Sequence, residues 1–373
     1  MNVPKLRFKE FNDEYKKYTF AELADYKKGP FGSALKKEIF VPKSENSVKV
    51  YEQQNAIKKD WTLERYFITK EYYKKLKGFT IGPGDIIVSC AGTIGEYYVL
   101  PNEAEIGVIN QALMRIITNK KVNQNYFLYI FDNMVYNFSK TFSNGSAIKN
   151  IPPFADLKKQ IAYIPTIEEQ NKVSIALKLL DKKIELQSKK IEDLKLFKLC
   201  INNILFNGNK TIKLKDICEC KSSTISLSDI EYDDGMYPIY GANGEIKKIN
   251  SYQNDKDYLA IIKDGAGVGK TIICNKKSSI ISTLSALIPN GIPIYYFNEL
   301  IKKIDFSKYI VGSGIPHIYF KDYSNEKLYL HEEKKRVLIN NFFKRIITKI
   351  ELEENKLLLL ETLKKGLMQN MFV

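Results

Sequence analysis

The segment Lys183-Ile184-Glu185-Leu186 returns as Lys349-Ile350-Glu351-Leu352, 166 positions later. The same offset carries Lys190 onto Lys356, Leu194 onto Leu360, Lys198 onto Lys364 and Phe206 onto Phe372. Upstream, Gly145-Ser146-Ala147-Ile148 falls on Gly312-Ser313-Gly314-Ile315 at an offset of 167. A duplicated chain builds one plan twice, so its fold must contain an internal pseudo-twofold repeat.

The later part of each copy carries a sustained apolar stripe. Residues spaced alternately four and three apart are Val173, Leu177, Leu180, Ile184, Gln187, Ile191, Leu194, Lys198, Ile201 and Leu205 in the first. In the second they are Ile339, Phe343, Ile346, Ile350, Glu353, Leu357, Leu360, Lys364, Leu367 and Met371. The polar breaks fall at matching places. This is a heptad seam kept for more than four heptads, the signature of a coiled coil. No Pro or Gly interrupts 168–206, and Gly366 alone interrupts the second run. Each helix should therefore run roughly 60 Å. Two matching stripes in one chain pair most simply with each other, antiparallel.

Residues 1–166 and 208–330 are different in kind. Short β-type runs, such as Gly84-Asp85-Ile86-Ile87-Val88 and Tyr258-Leu259-Ala260-Ile261-Ile262, alternate with Gly- and Pro-containing turns. Faint echoes link them. Phe20-Ala21-Glu22-Leu23 resembles Leu214-Lys215-Asp216-Ile217, and Cys90 to Gly95 resembles Gly265 to Gly269. The fold expected is α+β: mixed α/β domains at 1–166 and 208–330, alternating with long helices at 167–206 and 331–373.

A balance of 58 Lys+Arg against 43 Asp+Glu, net +15, points to a polyanionic partner. Five irregularly spaced cysteines and two histidines supply neither a disulfide framework nor a tetrahedral metal site. No apolar run reaches the length needed to span a bilayer, and the first twenty residues lack the apolar core of a secretory signal. A cytoplasmic protein without a membrane partner is expected.

Several segments, taken in order, resemble one family. They are Pro4 to Phe11; Gly84-Asp85-Ile86-Ile87 through Gly95 and on to Ile109-Asn110-Gln111; and Pro165-Thr166-Ile167-Glu168-Glu169-Gln170. Tyr237 to Gly244, Gly312 to Phe320 and Lys364 to Phe372 follow. Together they are similar to the specificity subunits of type I restriction–modification systems, over nearly the whole chain. Two departures stand out: Tyr15 where many relatives have Trp, and His331-Glu332-Glu333 in place of a Pro-rich lead-in to the second helix. The resemblance implies a non-catalytic subunit with two target-recognition domains, each reading half of an asymmetric site on double-stranded DNA. The helices would set the gap and dock two methyltransferase subunits, with motor–nuclease subunits joining for restriction. S-adenosylmethionine, ATP and Mg would belong to those partners and not to this chain. The alternative is a stand-alone, sequence-specific DNA-binding regulator.

Apparent enzyme motifs are weaker. Asn150-Ile151-Pro152-Pro153-Phe154 has Ile151 inserted where an amino-methyltransferase loop puts its polar residue directly before the prolines. Gly265 to Thr271 ends like a P-loop, but Asp264 stands at the first glycine and would repel phosphates. It reads better as a turn between strands, and His317 as part of a turn or a DNA-facing loop. Contacts to phosphates and bases come from Lys, Arg, hydroxyls, Asn, Gln and backbone amides. The first-domain candidates are Lys27, Lys28, Gly29, Ser33, Gln53, Gln54, Lys58, Thr93, Ser143, Asn144 and Ser146. Those of the second are Lys221, Ser222, Ser223, Asn243, Lys263, Lys270, Thr271, Ser282 and Thr283. Gln53 and Gln54 suit bidentate contacts to adenine.

Overall fold

The structure, a computed structural model, describes residues 3–91, 93, 95–142, 154–230 and 235–373. Two compact units form: Met1–Ile184 with Leu359–Val373, and Glu185–Leu358. Each contains one globular domain and a stretch of each long helix.

In the first unit the central sheet is antiparallel, its strands in the order Ala24–Lys28, Leu113–Thr118, Ile86–Ser89, Tyr97–Val99. Side chains alternate across it with period two. Ala24, Tyr26, Ile86, Val88, Met114 and Ile116 share a core with Tyr126, Phe127 and Phe131 of the helix Gln124–Phe142. Ile87 and Leu113 point the other way, into a core with Tyr51 and Ile109. Being covered on both faces is what makes Ile86-Ile87-Val88 continuously apolar. A second sheet runs Tyr66–Thr69, Ser47–Tyr51, Gly107–Ile109, Thr80–Ile81, its middle pair parallel. Gly107 is required there, because a Cβ would come within 2.6 Å of the Lys49 carbonyl oxygen.

The second unit repeats the plan. Its central sheet runs Cys218–Ser222, Leu284–Pro289, Tyr258–Ile262, Thr271–Cys274, again antiparallel. Leu259, Ile261 and Leu287 face Tyr296, Phe297 and Leu300 of the helix Ile294–Ile301. Tyr258, Ala260, Ala286 and Ile288 face Ile239 and Ile280. These last two belong to a sheet of Gly244–Ile249, Tyr237–Gly241 and Ser279–Ile280, whose last pair is parallel. Even the small clasp recurs: Lys16–Thr19 pairs with Ile161–Ile164, and Ile212–Lys213 with Lys327–Leu328.

The long helices span Ile167–Leu205 and Glu333–Asn370. Every seam position on both is buried or half-buried, whereas most residues between them are exposed. In the first unit Val173 and Leu177 share a core with Met371 and Phe372, against which Leu367 packs. There Lys364 reaches Asp181 at 2.7 Å. In the second unit Ile339, Phe343, Ile346 and Ile350 form a core with Phe206, against which Leu194 and Ile201 pack. Gln187 meets Glu353, and Phe197 meets Phe342 with ring centroids 6.3 Å apart. One number rises as the other falls, so the pairing is antiparallel in each unit. Ile191 and Leu360 are buried, and Leu180, Ile184 and Leu357 half-buried.

The repeat-mates Phe206 and Phe372 show how the plan closes. Phe206 ends the first long helix in the second unit's core, and Phe372 follows the second long helix into the first unit's core. His331, in the unexpected lead-in, is buried beside Phe206, and its Nδ1 lies 2.9 Å from the Tyr296 hydroxyl. The lead-in to the second long helix is thus held in an aromatic pocket.

Candidate nucleic-acid interface

Strand register decides which candidates come together. In the first unit Lys28 pairs with Met114 and Ser89 with Leu113. The end of Ala24–Lys28, with exposed Lys27 and Lys28, therefore lies at the same sheet edge as the turn that follows Ser89 and carries exposed Thr93. Gly29 donates its amide to the Leu113 carbonyl at 2.9 Å. A Cβ there would stand 1.8 Å from the Asn110 carbonyl oxygen, so Gly29 is a backbone requirement. The helix Gln53–Ile57 reaches this edge too, since Gln53 Nε2 donates to the Ala91 carbonyl. Gln54 and Lys58 are exposed, as is Ser33 in the 3-10 turn Gly32–Ala34.

In the second unit Ser222 pairs with Ser285, Ile262 with Leu284 and Ile261 with Thr271. That register gathers Lys221, Ser222, Lys263, Lys270, Thr271, Ser282 and Thr283 at the equivalent edge. The Thr283 carbonyl accepts from the amides of Lys263 and Asp264, at 3.0 and 3.3 Å. The glycines that suggested a P-loop, Gly265, Gly267 and Gly269, all have positive φ, between 86° and 95°. They build a hairpin turn leading into the strand Thr271–Cys274, whereas a P-loop leads into a helix. Asn243 is exposed at the turn between Tyr237–Gly241 and Gly244–Ile249.

Some candidates are already engaged within the protein. Asn55, beside the two glutamines, is buried and donates to the carbonyls of Asp60 and Leu63 at 2.9 and 3.1 Å. Ser223 is buried, its hydroxyl accepting from the Ile225 amide and the Gln253 side chain. The Thr271 hydroxyl donates inward to Asn298 Oδ1 at 3.0 Å. Ser143, Asn144 and Ser146 lie outside the described residues, as does the Asn150–Pro153 segment.

Sequence reasoning missed Arg65. It is exposed, its guanidinium 4.8 Å from the Tyr66 ring centroid, and Tyr66 itself stacks on Phe40. Val50 pairs with Tyr66, which places Arg65 at the sheet end from which Gln53–Ile57 departs. The available signal was scarcity. Of five arginines, Arg7 is tied to Glu169, and Arg115 to the Thr80 carbonyl and Asp25. Arg65 keeps the fork geometry that reads guanine.

Burial pushes the thiols of Cys90, Cys218 and Cys274 up to about 12, so they stay protonated at neutral pH. Among the described residues no group of three or more His, Cys, Asp or Glu could hold a metal, and no helix is long and apolar enough to cross a membrane.

Comparison with known proteins bears on the family and the fold. The family model described as "Type I restriction modification DNA specificity domain" matches residues 12–196 and again 207–362. A Methanocaldococcus jannaschii protein named as the MjaX type I restriction enzyme specificity subunit is 27% identical over 129 residues. That match covers 35% of this chain and 29% of the relative's length. The crystal structure of a type I restriction–modification S subunit from M. genitalium is similar in fold, with a TM-score of 0.67 at 18% identity, covering 100% of this chain and 99% of that one. A chain from a study of complex assembly and conformational transition in the type I system aligns with a TM-score of 0.53 at 13% identity, covering 96% and 97% of the two chains.

Proposed function

The chain belongs to the type I restriction–modification DNA specificity family, and from that premise we propose that its two globular domains each read one half of a bipartite, asymmetric DNA site. The observation that carries this is the repeated sheet edge. The same strand order presents Lys27, Lys28 and Thr93 in one unit and Lys221, Ser222, Lys263 and Lys270 in the other. The frame is common and the edge residues differ, which is what reading two different half-sites requires. Lysines and hydroxyls hold phosphates and set register; Gln54, Arg65 and Asn243 offer base-reading groups.

The long helices set the gap and dock two methyltransferase subunits. Both keep large apolar side chains outward, away from their shared seam. Leu186 and its repeat-mate Leu352 are 55% and 59% exposed. Partner helices laid on such positions would bury them twice over, once per repeat. The chain contributes recognition and no bond-making step. S-adenosylmethionine is bound by the methyltransferase subunits, ATP and Mg by the motor–nuclease subunits.

A domain exchange tests this. Residues 1–150 are replaced by the matching domain of a relative, and the host methylome is sequenced with the partner methyltransferase present. One half of the methylated site should change and the other persist. If both halves change together, the domains are not independent readers.

A further inference from the structure

The segment that the duplication singled out at Gly312–Ile315 is built as a finger. Val311 and His317 exchange both backbone hydrogen bonds, each 2.9 Å, closing a loop of the five residues between them. Its base is stitched to the candidate edge: the Gly265 amide donates to the Pro316 carbonyl at 2.8 Å, and the Ile318 amide to the Lys263 carbonyl at 3.0 Å. Ile318 is buried as the anchor. Gly312 has φ +94°, and a Cβ there would meet the Ile315 carbonyl oxygen at 2.5 Å and His317 Nδ1 at 2.8 Å. The turn is therefore fixed by its backbone. At its tip the turn displays Ile315, 68% exposed, beside exposed Ser313, and Tyr319 just beyond the turn is 51% exposed.

Around it the charge is mixed but mainly basic. Lys263 and Lys270 lie on the hairpin to which the finger is stitched, and Lys321 stands 5.3 Å from the Tyr319 ring centroid. Asp264 sits 3.9 Å from Lys263, and its backbone pairs with that of His317 as an isolated antiparallel β-bridge. An aliphatic tip, with Val311 at its base also 46% exposed, does not suit a phosphate even beside cations. It does suit the major groove, where the thymine methyl is the apolar mark among hydrogen-bonding edges. Resting on the DNA-reading function proposed above, we infer that the finger Val311–His317 enters the major groove and that Ile315 packs on a thymine C5-methyl within the half-site read by the second domain.

The test uses the full chain with its methyltransferase partner. The methylated motif is first mapped, and each thymine of the second half-site is then replaced by uracil, which removes only the methyl. One replacement should slow methylation by the wild type about fourfold, the factor equivalent to about 0.8 kcal/mol for one buried methyl-sized group. The Ile315→Ser variant should be slowed similarly on the thymine duplex and be indifferent to that uracil. Met236→Ser, which removes another exposed apolar side chain (81% exposed) of the same domain, should respond as wild type does. Uracil without effect at every thymine, or a half-site lacking thymine on both strands, overturns the inference. So does an Ile315→Ser chain that keeps full sensitivity to uracil. Should Ile315→Ser lose all methylation, the uracil scan on the wild type still decides. A wild type that gives no bipartite methylation at all would instead overturn the proposed function.

Discussion

Gln187 donates its side-chain amide to the carboxylate of Glu353 at 2.7 Å and to that residue's main-chain carbonyl at 2.9 Å. The two residues are equivalent positions of the duplication, 166 apart. A side chain of one long helix thus bonds its own repeat-mate on the other. Lys190 and Lys349 complete the cluster, at 2.7 and 2.8 Å from Glu353. The first polar break in each apolar stripe is therefore the other's partner, whereas the second pair, Lys198 and Lys364, reach Glu299 and Asp181.

The first prediction concerns Glu353. The Gln187 amide and the ammonium groups of Lys190 and Lys349 hold its carboxyl well below the usual carboxylate range. A depressed folded value means that its stabilisation is present above the unfolded value, roughly 4.3, and is lost as pH falls further. Glu353→Ala should lower the unfolding midpoint by several degrees at pH 7, and the gap to wild type should narrow progressively as pH falls below about 4. Thermal unfolding across pH checks this, and a gap independent of pH would refute it.

Asp132 behaves in the opposite sense. Burial first, with Glu96 and Asp181 nearby, pushes its carboxyl up to about 6 against the pull of Lys364 and Lys59. A raised value means that the folded state holds the proton more tightly, so stability gained from it appears as pH falls through about 6 and is absent above. Asp132→Asn should raise stability by about 1–2 kcal/mol at pH 7.5 and by little at about pH 3.5, below the unfolded value of roughly 3.9. Denaturant titrations at the two pH values decide.

Phe206→Ala should cost about 3–5 kcal/mol, the usual range for emptying a buried aromatic site. Phe206 lies 5.1 Å from Tyr296 and 6.4 Å from Phe343, between ring centroids. Phe372→Ala should cost less, because that residue is less completely covered. Hydrogen exchange should show the first loosening residues 208–330 and the second loosening 1–166. A reversed pattern would contradict the exchange of helix ends.

Lys221 and Lys263 are expected to face phosphates. Replacing either by Ala should weaken DNA binding uniformly across sequences and lower the slope of log K against log salt by about 1. A change of sequence preference with an unaltered slope would assign them to bases.

Inserting four residues between Gln187 and Ile191 adds about one helical turn, roughly 6 Å, or near two base pairs. The methylated site should keep both half-sequences and gain gap length. An unchanged gap in an active variant would mean that the helices do not set it.

The long helices were legible because a seam such as Val173–Leu177–Leu180 repeats over many turns, and periodicity accumulates over length. The duplication then extended one reading to both halves. The sheets were less so: strands such as Ser279–Ile280 are too short to show a period, and their order depends on pairings far apart in sequence. At the candidate site, residue type could not say which way a side chain turns. Thr271 and Ser223 look like their exposed neighbours in sequence, yet each bonds inward, because Asn298 and Gln253 arrive from distant segments. Arg65 escaped notice because its placement depends on Val50 pairing with Tyr66, which no local pattern announces.

The Leu6 amide donates to the Asn370 carbonyl at 2.8 Å, so the opening segment and the end of the second long helix are fastened together. Each core is then assembled from the same three pieces (a domain, the start of its own helix and the finish of the other's) taken in a different order along the chain. Position along the polypeptide thus carries almost no architectural information. A permuted protein that starts at Asn209, with a short linker from Val373 to Asn2 and a stop after Gly208, should fold and select the same DNA. The cut would fall where the native chain merely passes from one repeat to the next.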